Sequence, residues 1–286
     1  MSPAALSRNH GTLDGIAGIR IHYRSWEIPE PRAALVIVHG LCDHSGRYDA
    51  FAESIAAAGC STFALDLRGH GRSDGRRGHV RRFDIFLQEL DRFRREVQGL
   101  VPPDCPIFLL GHSMGGLIAL RYLQEFDGTF CGAIITSPWL GVRVPVASWK
   151  AALGRTLNRA CPAFPFATGI RPDHLSRDPG IVAAYRDDPM VHRTITPRLF
   201  VECGIAVETA RARKDRLRLP LLFLLAGTDH IVDTETALDF ARSLPAADVT
   251  IRLFPDHYHE LLNEEGRHAI WVEIGDWIHA RLGRLP

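Results

Sequence analysis

The sequence predicts an α/β protein: a mostly parallel sheet flanked by helices, with a helical segment inserted between two strands. Three observations carry this. Short apolar runs alternate with segments of helical period. The runs are near-continuously apolar, the pattern of strands buried on both faces. The alternation lapses between residues 141 and 219 and then resumes. A chain of 286 residues suffices for one large α/β domain with such an insertion.

AALVIVHG (33–40) reads as a buried strand ending in glycine. Residues 48–59 fit an amphipathic helix, with Phe51, Ile55 and Ala58 on one face. STFALDL (61–67) is the next strand. Over 83–99 the residues Phe83, Phe86, Leu87, Leu90, Phe93 and Val97 recur at helical spacing. Strand PIFLLGHS (106–113), a helix over 115–126 and strand CGAIITSP (131–138) follow. Residues 141–219 hold seven prolines and no convincing buried strand, so they read as helical. Then come strand LPLLFLLAG, a helix over 234–244, strand DVTIRLFP (248–255) and a C-terminal helix near 265–283. The expected organisation is a core of 1–140 and 220–286 with a helical cap, or lid, over 141–219.

Hydrophobic residues make up 46% of the chain and charged residues 23%, a soluble globular composition with material for a sizeable core. A net charge of +1 gives no field of one sign, which argues against nucleic acid as partner. The six cysteines are scattered without a C-x-x-C pair, which argues against zinc ribbons and fits a reducing compartment. The N-terminus lacks the pattern of a signal peptide. The longest apolar stretch, 219–227, is too short to span a bilayer. The expectation is a cytoplasmic protein, at most peripheral at a membrane surface. No P-loop or dinucleotide fingerprint appears, and His70, His79 and His112 lack the spacing of a metal site, so no cofactor is implied.

Leu109-Leu110-Gly111-His112-Ser113-Met114-Gly115-Gly116 contains G-x-S-x-G between an apolar strand and an apolar helix. That context makes Ser113 a candidate nucleophile. A sharp strand-to-helix turn forces the serine to positive φ, and its neighbours must lack side chains so that strand and helix can approach. A fold of this kind presents the hydroxyl at the carboxyl end of the sheet. Acyl transfer also needs two donors for the developing oxyanion. The backbone N–H of Met114 is one candidate, and that of Leu41, in the loop after strand LVIVHG, is the second. His39 reads as a brace for that loop.

In this architecture the partners follow in the order serine, acid, histidine. Asp229 and Asp233 both follow strand LLFLLAG. Asp229 is nearer the strand end and is favoured, while Asp233 suits a helix cap. The base belongs after the last strand, where His257 and His259 compete and spacing separates them poorly.

HGLCDHSGRY (39–48), DLRGHGRSDGRRGHV (66–80), GHSMGG (111–116), SPWL (137–140), RDPGIVAAYRDDPMVH (177–192), AGTDHIVD (226–233) and HYHELLNE (257–264) together resemble the monoacylglycerol lipase and lysophospholipase branch of the α/β-hydrolases, the hydrolase-4 or serine aminopeptidase-like group. The resemblance spans nearly the whole chain. It implies an α/β-hydrolase fold with Ser113 as nucleophile, Asp229 as acid, His259 as base, and Leu41 and Met114 N–H as oxyanion donors. Many members carry a small residue where this chain has Leu41.

The implied activity is a serine carboxylic ester hydrolase working through an acyl-enzyme on single-chain lipid esters. An acyltransferase or thioesterase would use the same triad, and a non-catalytic binding protein on this scaffold is the reading from another class. Val142, Val144, Val146, Trp149, Leu153, Leu157, Phe164, Phe166 and Ile170 either line an acyl channel or pack the cap on the core. RARKDRLR (211–218) is either a solvated helix face or a contact for an anionic membrane. Oligomeric state is not legible.

Overall fold

Strands β3 (Ala33–Val38), β4 (Cys60–Leu65), β5 (Ile107–His112), β6 (Gly132–Thr136) and β9 (Leu221–Ala226) are buried at every residue. Alternate side chains of β3 enter different cores. Ala34, Val36 and Val38 face one, Leu35 and Ile37 the other. A strand that buries both faces must read as an unbroken apolar run, which is why these strands are legible in sequence. The computed structural model describes residues 6–126, 128–143 and 157–282.

These strands are the centre of an eight-stranded sheet in the order β1-β2-β4-β3-β5-β6-β9-β10, with β10 spanning Val249–Phe254. Pairings from β4 through β10 are parallel. The first two strands, β1 (Ser7–Asp14) and β2 (Arg20–Glu27), are antiparallel to each other, and β2 is antiparallel to β4. Neither is expected from the sequence. β1, SRNHGTLD, is a polar edge strand exposed at six of its eight residues. It carries no apolar run to announce it.

Helices α1 (Asp49–Ala57) and α7 (Arg267–Leu282) cover one face through Phe51, Ile55, Trp271, Ile274 and Ile278. Helices α2 (Asp84–Leu100), α3 (Met114–Glu125) and α6 (Thr234–Arg242) cover the other.

Between β6 and β9 the described residues include a helix of 9 residues, a helix of 16 residues and a two-residue strand pair, β7 (Phe166–Ala167) with β8 (Thr194–Ile195). α4 (Pro179–Asp187) starts with proline behind Asp178, whose carboxylate accepts the N–H groups of Gly180 and Ile181. α5 (Pro197–Ala212) uses the same device with Thr196 accepting from Leu199 N–H at 3.3 Å. α5 buries Leu199, Cys203 and Val207 in the core that also holds α3. No helix among the described residues is long and apolar enough to cross a membrane.

Candidate active site

β5 ends at His112, and α3 begins at Met114. The single residue between them, Ser113, has φ 54° and ψ −117°. Such a backbone costs about 1–3 kcal/mol in a non-glycine residue. It is held by its surroundings: Ser113 N–H donates to Thr136 O at 3.0 Å, and Ser113 O accepts from Leu117 N–H and Trp139 N–H. The flanking glycines have no room for a methyl. A Cβ on Gly115 would lie 2.0 Å from Val38 O, and one on Gly111 would lie 2.5 Å from Gly115 O. Gly40 passes the nucleophile so closely that its Cβ would sit 3.1 Å from Ser113 Cβ.

Met114 is the first residue of α3, so its N–H has no acceptor within the helix and points with the positive end of the dipole. Leu41 follows Gly40 and lines the same cavity as Ser113. His39 fixes this loop through both ring nitrogens. Nδ1 is 2.7 Å from Gly40 O, and Nε2 accepts Leu67 N–H at 2.9 Å. Cys42, after Leu41, has φ 62° and lies in a turn.

β9 delivers Asp229, which is fully buried. Its Oδ1 accepts the N–H groups of Ile231 and Val232 at 2.8 and 2.9 Å. Its Oδ2 lies 2.7 Å from His259 Nδ1. Burial alone would raise the acid's pKa, but the adjacent imidazole and these hydrogen bonds bring it below the usual value. His259 is buried as well. Burial works to lower its pKa, and the Asp229 charge overrides this to leave it raised. With Nδ1 engaged, Nε2 is the nitrogen left for chemistry.

Asp233 sits at the N-terminal boundary of α6 and accepts the Thr236 hydroxyl at 2.5 Å. His257 packs its ring 5.3 Å from Phe254, and its Nδ1 is buried without a hydrogen-bond partner. Ser113 and His259, with Leu41 and His112, line one cavity of about 320 Å³.

The cavity wall divides by chemistry. Trp139, Val142, Ile170, Leu175, Ile195 and Phe200, from the segment between β6 and β9, supply much of its apolar lining. The core supplies His112 from the end of β5, and Asp43 and Glu260 from loops. Burial and the neighbouring His259 push His112 down to about 4, so it is neutral at pH 7. Asp43 and Glu260 are joined by Arg47, which donates to both Glu260 oxygens at 2.6 Å and to Asp43 Oδ1 at 3.2 Å. Despite burial, Arg47 holds Asp43 at about 2 and keeps Glu260 below its ordinary value. Sequence reasoning missed this wall. HGLCDHSGRY and HYHELLNE contain all three residues, but nothing in either motif says that they pair across 213 positions.

Of the apolar cap residues read from sequence, Val142 and Ile170 line the cavity. Phe164 and Phe166 are exposed and pack against each other at 5.2 Å, and Leu157 is half-buried. Val144, Val146, Trp149 and Leu153 lie outside the described residues. In the basic run, Arg211 donates to Leu140 O, Arg213 pairs with Glu125, and Arg216 donates to Gln124 O. These three cations tie the end of α5 to the core. In the glycine-rich loop, Arg68 is paired with buried Glu89 and Arg77 donates to Gly71 O. That loop is braced against α2 by the first contact and within itself by the second.

Comparison with known proteins shows the family and the fold. The family described as serine aminopeptidase, S33 (hydrolase-4) matches residues 29–266. The chain is similar to a monoacylglycerol lipase of Mycolicibacterium smegmatis, 31% identical over 96% of this chain and 99% of that protein. It is also similar to the phospholipase YtpA of Bacillus subtilis, 29% identical over 86% of this chain and 95% of the relative. The crystal structure of Paleococcus ferrophilus monoacylglycerol lipase superposes with a TM-score of 0.81 at 30% identity, covering 97% of this chain and 99% of that one.

Proposed function

Because the chain belongs to the hydrolase-4 family and has the α/β-hydrolase fold, we propose that it is a serine ester hydrolase whose substrates are monoacylglycerols and related single-chain lipid esters. The observation that carries this reading is the pairing of buried Asp229 with His259 in the same cavity as the strained Ser113 and an apolar wall.

In the proposed reaction His259 Nε2 takes the Ser113 proton as Oγ attacks the ester carbonyl. The tetrahedral oxyanion is held by the N–H groups of Leu41 and Met114. Asp229 keeps Nδ1 protonated and stabilises the imidazolium. Collapse breaks the ester C–O bond, and the imidazolium returns its proton to the leaving alkoxide. Water then attacks the acyl-enzyme by the same route and releases the fatty acid. The segment 141–219 acts as a cap that shapes the acyl site, and the exposed pair Phe164 and Phe166 is its proposed contact with a lipid surface.

A chain-length series of monoacylglycerols, lysophospholipids and p-nitrophenyl esters tests the reading. It predicts kcat/KM rising with acyl length until the apolar wall is filled. Activity indifferent to acyl length, or absent on every ester, would remove it.

A further inference from the structure

Glu264 is fully buried, yet it plays no part in the reaction as described. Its carboxylate collects five donors. Oε2 accepts Tyr258 N–H at 2.7 Å and Arg177 Nε–H at 3.2 Å. Oε1 accepts Arg177 N–H at 2.8 Å, Glu265 N–H at 3.0 Å and the Ser176 hydroxyl at 3.1 Å. Four of these contacts bear on the base. Tyr258 immediately precedes His259, and Ser176 and Arg177 follow Leu175, which lines the cavity. On the other side of the base, Glu260 N–H donates to Leu175 O at 2.8 Å. The peptide N–H groups flanking His259 are thus both tied to residues 175–177, one through Glu264 and one directly.

This placement matters because His259 lies in the loop between β10 and α7, with no regular backbone ladder of its own. A loop of that kind is free to shift unless side chains fix it. Three of the five donors are backbone N–H groups. They help hold the carboxyl ionised against its burial.

Building on the serine hydrolase reading, we propose that Glu264 is a positioning residue for the general base. It locks the His259 loop to the 175–177 segment and so holds the imidazole on Asp229 and in reach of Ser113. It touches neither substrate nor reacting atoms.

The test is Glu264→Gln, which keeps the shape but turns one acceptor oxygen into a donor. Whichever way the amide faces, its NH₂ confronts at least two N–H donors. Active sites are first counted with a fluorophosphonate, so that kcat is expressed per reactive serine. If the wild-type protein takes up no fluorophosphonate, the hydrolase reading itself fails. If it labels, the variant is expected to lose about 10–100-fold in kcat per site, since misplacement by about 1 Å costs that much. KM for p-nitrophenyl acetate should change little. The acid limb of the pH profile should move to lower pH, because a loosened His259 loses the charge that raises its pKa. Arg177→Ala removes one side-chain contact at a half-exposed position and should move the limb the same way by less; it carries the test if the Gln variant does not fold. Wild-type kcat per site and an unmoved acid limb, whatever the loss of Tm, would reduce Glu264 to a structural role and overturn the proposal.

Discussion

His259 Nδ1 lies 2.7 Å from Asp229 Oδ2, with both side chains buried and Asp229 Oδ1 held by two backbone N–H groups. The pair therefore has one geometry, and its electrostatics set the pH dependence of the proposed reaction. The base works only when neutral. Its pKa is raised above the ordinary 6.5 by Asp229, so activity should be lost as pH falls through a midpoint above that value. A kcat/KM profile between pH 5 and 9 checks this. Asp229→Asn should cost about 10⁴ in kcat, since the imidazole then loses both tautomer control and charge compensation. A flat profile would count against His259 as base.

The two candidate histidines should separate cleanly. His259→Ala should abolish turnover with the fold intact. His257 packs on Phe254, away from the cavity lining, so His257→Ala should leave kcat within a few-fold of wild type. The reverse result would reassign the base.

The elbow predicts a contrast between glycines. A methyl on Gly115 would meet two backbone carbonyls, of Val38 and His39, neither of which can yield without moving β3. Gly115→Ala should destabilise by roughly 3 kcal/mol or more, the upper range for overpacking. Gly99 in α2 has open space around it, so Gly99→Ala should stabilise by about 0.5–1 kcal/mol. Urea unfolding of the two variants gives both numbers.

Arg47 compensates two buried carboxylates at once. Arg47→Met leaves Asp43 and Glu260 facing each other without a cation and should cost about 3–5 kcal/mol, as for other broken buried pairs. In the wild-type protein Asp43 titrates at about 2 instead of 3.8. Its depressed pKa contributes stability that is complete above pH 3.8 and lost as pH falls towards 2. Acid unfolding of the Arg47→Met variant should therefore begin at higher pH, as followed by circular dichroism.

The parts of this molecule that were legible in sequence are those whose signal is local. β3, β5 and β9 bury both faces and so announce themselves as apolar runs. The Ser113 elbow needs its glycines within two residues, where a short motif records them. β1 is not legible because it is a polar edge strand, SRNHGTLD, and β2 is not because RIHYRSWE holds no apolar run although it is mostly buried. The choice between His257 and His259 was not legible from spacing, because two residues apart along a loop says nothing of which ring meets Asp229. The Asp43–Arg47–Glu260 wall and the Glu264 contacts join segments far apart in the chain, and pairing of that kind leaves no trace in one sequence. The insertion was read from the lapse in strand rhythm, yet α5 within it packs in the same core as α3. Apolar periodicity cannot tell a cap helix from a core helix, because both bury one face.

The central claim is that Ser113 attacks the ester. Turnover of a medium-chain monoacylglycerol by Ser113→Ala tests it most directly, with circular dichroism confirming the fold. The account predicts a loss of about 10⁴–10⁶ in kcat. Turnover at the wild-type rate would contradict it.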